Sequence, residues 1–132
     1  MKIKFFLILF FQFIFFNSIL LSEDIDIISD NIKILNNGEI IESIQTKAII
    51  KNRGLYIEGD YSIYNKETEI IKFEKNVLFN DRTKNIKVET GKAKYNQKLD
   101  ILETIGVTNI KIENKYEIIS SNMFYNRRSQ QI

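Results

Sequence analysis

From Ile25 onward the chain alternates apolar and polar residues in short stretches, and this pattern constrains its fold most. A period of two is typical of β-strands that have one buried and one solvated face. Two stretches show it most clearly; their expected apolar faces are Leu55, Ile57, Tyr61 and Ile63 in one, and Ile71, Phe73, Val77 and Phe79 in the other. The alternation predicts an all-β fold.

Groups rich in Asn, Asp, Lys and Gly separate these stretches about every 12–15 residues. Asn and Gly suit such positions because both tolerate the left-handed backbone of tight turns. Asn36-Asn37-Gly38 is the strongest hairpin signal among them. Together these signals predict seven long strands, over residues 25–35, 39–51, 55–64, 68–79, 86–95, 99–112 and 116–125.

Two of the predicted strands contain a glycine near the point where their apolar residues change face. In 86–95 the change is expected around Gly91, and in 99–112 it is expected near Gly106, from Ile105 and Val107 to Ile110 and Ile112. A β-bulge produces such a change, and glycine commonly marks it.

An internal repeat of about 30 residues is visible in a Tyr-Asn pair at the end of three strands. Tyr64-Asn65, Tyr95-Asn96 and Tyr125-Asn126 follow one another at spacings of 31 and 30 residues. Such a period is typical of stacked units that bury their apolar faces against their neighbours. Since few residues follow the last pair, we expect a module that is truncated or that pairs with a partner. Arg127 and Arg128 form a charged pair near the end of the sequence, and we expect both to be solvated.

The first 22 residues have the layout of a secretory signal. Lys2 and Lys4 precede an apolar run from Phe5 to Leu21, and a polar stretch follows. A membrane anchor is the alternative, because 17 residues is the lower limit for a spanning helix. Either interpretation predicts that residues 23–132 form one domain outside the cytoplasm.

Composition excludes several classes of function. The chain contains no Cys and no His, so it cannot build a disulfide, a Ser-His-Asp triad or the usual zinc site. Without Lys2 and Lys4 its charges balance, and no basic stripe suggests a nucleic-acid partner. We expect no catalytic residue, no metal and no cofactor.

The repeat also resembles a known family. The phrase Ile57-Glu58-Gly59-Asp60-Tyr61-Ser62-Ile63-Tyr64-Asn65, followed by a strand and by Lys75-Asn76-Val77-Leu78-Phe79, is similar to the repeat of the OstA-like family. That family includes the lipopolysaccharide-transport protein LptA and the N-terminal periplasmic domain of the outer-membrane assembly protein LptD. Residues 116–121 and 125–128 resemble the LptD type more than the LptA type. In this chain Lys75 replaces the glycine usual before Asn76-Val77.

The resemblance implies a repeat-built antiparallel β-jellyroll, an open V-shaped sandwich, located in the periplasm or associated with the outer membrane. It implies that the domain binds lipopolysaccharide through its lipid A acyl chains and joins other jellyroll domains by edge-strand pairing. The bulky residues expected to face inward are the lipid-groove candidates Ile57, Tyr61, Ile63, Phe73, Val77, Phe79, Ile110, Ile112 and Phe124. Plain core packing is the alternative role for each of them.

Two other functions are consistent with the residues. One is a structural or adhesive exported β-repeat that binds no lipid. The other is a carbohydrate-active β-helix enzyme using Glu58 and Asp60, which share a strand face; neighbouring Lys and Asn residues instead indicate a solvated surface.

Overall fold

Eight antiparallel strands form one sheet in a computed structural model that describes residues 25–132. The predicted signal segment, residues 1–22, lies outside the described residues. The strands are β1 Ile25–Ile28, β2 Asn31–Leu35, β3 Ile40–Ile50, β4 Leu55–Asn65, β5 Ile70–Asp81, β6 Ile86–Asn96, β7 Ile101–Ile112 and β8 Tyr116–Asn126. Short 3-10 turns at Asn36–Gly38 and Lys51–Arg53 precede β3 and β4.

From β3 onward the strands follow chain order across the sheet, and each from β3 to β7 pairs with the next. Both β1 and β2 pair with β3, because the first predicted strand is broken near Ser29. The Ser29 hydroxyl donates to the carbonyl of Ile44 at 2.6 Å, beside Gln45, whose φ of 51° is left-handed. This interruption explains why eight strands form where the alternation predicts seven.

Every long strand is irregular near its middle, and the sheet bends along that line. Pairing registers shift between β4 and β5, β5 and β6, β6 and β7, and β7 and β8. The bend divides the sheet into two halves. Arm A contains β1 and residues 46–58, 77–90 and 108–120; arm B contains β2 and residues 40–44, 61–74, 92–105 and 122–126.

The two arms face each other across a common core. The ring of Phe79, on arm A, lies 6.1 Å from the ring of Tyr95 and 6.2 Å from that of Tyr125, both on arm B. None of these three side chains is more than 1% exposed. The predicted open sandwich is therefore one bent sheet whose inner face forms the core.

The bulges decide which side chains face this core. At Gly91 the inner set of β6 changes as predicted, from Ile86 and Val88 to Ala93 and Tyr95. The expectation for Gly106 is wrong. Residues 102, 104, 108 and 110 all face inward, because two residues are absorbed in that bulge, and Ile105 and Val107 stay on the outer face.

The tyrosine-asparagine repeat has a structural role at the tip of arm B. All three tyrosines are buried. Each following asparagine accepts, through its Oδ1 atom, the backbone N–H three residues later, at Thr68, Leu99 and Ser129. These turns stack on one another through backbone hydrogen bonds from Lys66 to Glu39, Gln97 to Glu69 and Arg127 to Asp100. The repeat therefore builds a ladder of turns.

Candidate functional site

The inner face of the bent sheet holds the hydrophobic core of the described residues. Along arm A the row Ala48, Ile57, Phe79, Val88 and Ile110 crosses five paired strands, and all five side chains are 2% exposed or less. The facing row on arm B is Tyr64, Ile71, Tyr95, Leu102 and Tyr125. Side chains from the two rows fill the space between the arms.

Six of the nine lipid-groove candidates belong to this inner face. Ile57, Phe73, Val77, Phe79 and Ile110 are buried, and Ile112 is half-buried against the same cluster. Whether lipid contacts them stays a prediction, because core packing gives the same burial.

The inward placement expected of the other three candidates is wrong. The bulge between Glu58 and Tyr61 moves Tyr61 and Ile63 to the outer face of β4, so the inner residues there are Ser62 and Tyr64. Phe124 is paired with Glu103 on the outer face and is 53% exposed. A one-residue shift reverses every later side chain of a strand, and the alternation gave no sign of it.

The apolar inner face continues to both edges of the sheet. At one edge Ile32 and Ile34 of β2 are paired with inward-facing residues of β3, yet they are 47% and 65% exposed. At the other edge Ile118 of β8 is paired with the buried Ile110 and is 43% exposed. The inner face is thus uncovered at β2 on one edge and at Ile118 of β8 on the other.

Hydroxyl groups replace apolar side chains along the inside of the bend. Ser43 and Ser62 share a hydrogen bond of 2.7 Å, and Thr46 donates to Ser43 at 2.9 Å. On β7, the hydroxyls of Thr104 and Thr108 share a hydrogen bond of 2.8 Å. These buried hydroxyls satisfy one another, which fixes the bend without leaving a polar group unpaired.

A buried cluster of charges joins the two arms at their tips, opposite the bend. Arg127, just after β8 on arm B, donates through Nε to Asp81 on arm A at 2.5 Å and through Nη1 to Asp100 on arm B at 2.9 Å. Arg53, in the turn at the tip of arm A, reaches Asp100 at 3.1 Å. The sequence interpretation of Arg127 as solvated is wrong, since only 9% of it is exposed.

Tyrosines complete this tip cluster, which consists of Arg53, Asp81, Tyr95, Asp100, Tyr125 and Arg127. The Tyr95 hydroxyl donates to Asp100 at 2.7 Å, and the Tyr125 hydroxyl donates to Asp81 at 3.3 Å. Burial, and then the adjacent carboxylate, raise the pKa of Tyr95 far above its ordinary value. Burial and the charge of Asp81 do the same for the pKa of Tyr125. Both hydroxyls therefore remain donors at neutral pH.

The Asp81 carboxylate stays ionised in this cluster. Burial would raise its pKa, but hydrogen bonds from Arg127 and Thr83 and the charge of Arg127 outweigh burial and lower the pKa. Its Oδ1 also accepts the backbone N–H of Thr83 and of Lys84, which closes the turn after β5. Asp81 therefore has one oxygen in a local turn and the other in the bridge between the arms.

The carboxylates considered for sugar chemistry lie on the outer face. Glu58 is 3.8 Å from the ammonium of Lys47, and Asp60 accepts from the amide of Asn76 at 2.8 Å. Both line a shallow depression of about 250 Å³. Residues 25–132 contain no group of three metal-ligating side chains, and no helix among them is long and apolar enough to span a membrane.

Comparison with solved structures identifies the architecture. The chain superposes with a TM-score of 0.73 on LptH from Pseudomonas aeruginosa, the LptA-homologous periplasmic component of the lipopolysaccharide transport device. The fold is LptA-like. The match covers 83% of this chain and 80% of that one, at 9% sequence identity. No protein-family profile matches the chain, and no curated protein sequence matches it.

The shared fold agrees with the predicted all-β jellyroll. At 9% identity the likeness concerns the path of the backbone.

Proposed function

We propose that this domain binds lipopolysaccharide by its lipid A acyl chains between the two arms and passes it towards the outer membrane. The observation that carries the proposal is an apolar inner face, uncovered at both sheet edges, in a fold shared with a periplasmic transport component. An acyl chain exposed to water costs about 0.8 kcal/mol for each methylene. An apolar path from one edge to the other lowers this cost without any catalytic group.

The proposed partners are other jellyroll domains, joined through the two sheet edges. Strand β8 ends the sheet on one side, and β1 and β2 end it on the other. The free backbone groups of an edge strand can extend a neighbouring sheet by main-chain hydrogen bonds. Since Ile34 and Ile118 expose apolar surface at these edges, such pairing would also join the inner faces of successive domains.

The finer assignment is to the periplasmic N-terminal domain of the LptD type, near the outer membrane. It rests on the resemblance of residues 116–121 and 125–128. Identification of the proteins crosslinked through β8 in cells would test it: a crosslink to an LptA-type jellyroll supports the assignment, and a crosslink to an inner-membrane transporter contradicts it.

Photo-crosslinking in cells tests lipid binding itself. A photoreactive amino acid at Phe73 or Phe79, both buried between the arms, should give a lipopolysaccharide adduct. The same amino acid at Phe124, on the outer face, is the matched control and should give none. Absence of an adduct at every inward position would contradict the proposal.

A structural β-repeat without a lipid ligand is the second candidate, and the tight packing of the inner face favours it. Phe73, Val77 and Phe79 are each 2% exposed or less, so the arms must separate before an acyl chain can enter between them. Titration of delipidated protein with lipid A, followed by tyrosine fluorescence, distinguishes the two. Saturable binding supports transport, and no change at any concentration supports the structural role.

A further inference from the structure

The tip cluster lies where an amphiphile would have to cross between the arms. Acyl chains on the inner face must stay connected to a headgroup, which remains in water because burying its charges is costly. The bend closes one side of the inner face. The opposite side, between the arm tips, is bridged by Arg127 and Asp81.

Most hydrogen bonds of this cluster run from one arm to the other. From arm B, Arg127 donates through Nη2 to the Thr83 hydroxyl at 3.0 Å and to the Arg53 carbonyl at 3.2 Å, both on arm A. From arm A, Arg53 donates to the Tyr95 hydroxyl at 3.0 Å and to the Gln97 carbonyl at 2.9 Å. Breaking the cluster would therefore release the arms from each other.

Ion pairs elsewhere in the described sheet stay within one arm. Lys94 and Glu103 pair across neighbouring strands of arm B, and Lys47 and Glu58 do so within arm A. These pairs are exposed, and such pairs contribute little to stability. The buried charges of the tip cluster thus have a different role from the surface pairs.

A charged contact is an unusual way to hold two apolar arms together. Apolar residues of similar volume are often as stabilising as a buried ion pair, because the charges must first lose their hydration. An apolar contact, however, exposes hydrophobic surface to water when it opens. When the contact between Arg127 and Asp81 opens, both groups regain hydration, which offsets part of the cost of opening.

We propose that Arg127 is a latch that closes the inner face between the arm tips and opens when lipid enters. In the closed state its guanidinium bridges Asp81 and Asp100, as in the structure. In the open state the tips separate, acyl chains lie on the inner face and the headgroup occupies the gap. This inference rests on the proposed lipid binding and adds a residue that regulates it.

The distance between the arm tips tests the latch directly, and the absence of cysteine from the chain simplifies the labelling. Arg82→Cys and Lys66→Cys place nitroxide spin labels on exposed turns of arm A and arm B. Double electron–electron resonance then reports the tip separation in the wild-type background, in Arg127→Gln and in Arg128→Gln. Arg128 is the matched control, because it is exposed and donates only to a carbonyl of its own arm, at Lys98.

Uptake is measured on the same variants, without spin labels, as the association rate of fluorescent lipopolysaccharide. Arg127→Gln should widen the tip separation without lipid and raise the rate roughly tenfold, which corresponds to about 1.4 kcal/mol in the closing equilibrium. Arg128→Gln should change neither. Lipid added to the wild-type background should widen the separation to that of Arg127→Gln.

If Arg127→Gln does not fold, Asp81→Asn replaces it, because its side-chain oxygen still accepts the turn hydrogen bonds at Thr83 and Lys84. Unchanged separation in the folded variant, with lipopolysaccharide still bound, overturns the latch and leaves the proposed function standing. Failure of every variant to bind lipopolysaccharide overturns the proposed function, even where the separation changes.

Discussion

Arg127 Nε donates a hydrogen bond to Asp81 Oδ2 at 2.5 Å, although the two residues are 46 positions apart in the chain. Asp81 is fully buried at the end of β5, and Arg127 follows the last strand. Their contact joins the two arms at the side opposite the bend. The stability of the arm-to-arm packing and its response to pH therefore both depend on this pair.

Removal of the arginine should destabilise the domain strongly. Arg127→Ala leaves Asp81 charged and buried without its main partner, which typically costs about 3–5 kcal/mol. Urea unfolding followed by circular dichroism measures the loss. Arg128→Ala, at an exposed position, should change the free energy of unfolding by about 0.5 kcal/mol or less. Equal losses in the two variants would contradict the role assigned to the pair.

Acid should weaken the fold through Asp81. Its folded pKa is lowered, while an unfolded aspartate titrates near about 3.9. The contribution of the pair is therefore complete above the unfolded pKa and is lost as pH falls through the folded one. Urea unfolding between pH 7 and pH 2.5 should show this decline, with a smaller slope in Asp81→Asn. Parallel curves for the two proteins would refute the assignment.

Two phenylalanine variants, one on the inner face and one on the outer face, should differ sharply in stability. Phe79→Ala removes a ring that contacts Tyr95 and Tyr125 across the arms, and should cost about 3–5 kcal/mol. Phe124→Ala, on the outer face, should cost about 1 kcal/mol or less. Thermal or urea unfolding measures both. A larger loss for Phe124 would mean that the inner and outer faces are assigned incorrectly.

A glycine in the turn before β4 should not tolerate a side chain. Gly54 has a φ of +64°, and an added Cβ would lie 2.7 Å from the Cγ2 of Thr83 in the neighbouring turn. Gly54→Ala should therefore cost about 1–3 kcal/mol, and combining it with Thr83→Ser should recover part of that loss. Gly91→Ala is the control, because no atom lies within 4 Å of its added Cβ and its φ is not left-handed. A similar loss at both glycines would argue against the stacked turns.

Local chemistry determined the all-β class, the turns and most strand limits. Alternation with period two and turns rich in Asn and Gly are short-range properties, so strands such as Leu55–Asn65 and Ile86–Asn96 lie within two residues of their predicted limits. The Tyr-Asn repeat was also visible, because each asparagine side chain accepts backbone N–H groups two or three residues later, within its own turn.

Tertiary structure alone decided which charges became buried and, after the bulges in β4 and β8, which face became the interior. The bulge in β4 has a glycine, but whether it absorbs one residue or two depends on pairing with the neighbouring strands, and this number sets the positions of Tyr61 and Ile63. The carboxylate partners of Arg127 lie 27 and 46 residues earlier in the chain, so no local pattern distinguished it from the exposed Arg128. Strands and turns depend on residues that are close in the chain, whereas burial depends on how the sheet bends, because the bend brings together turns that are remote in the chain.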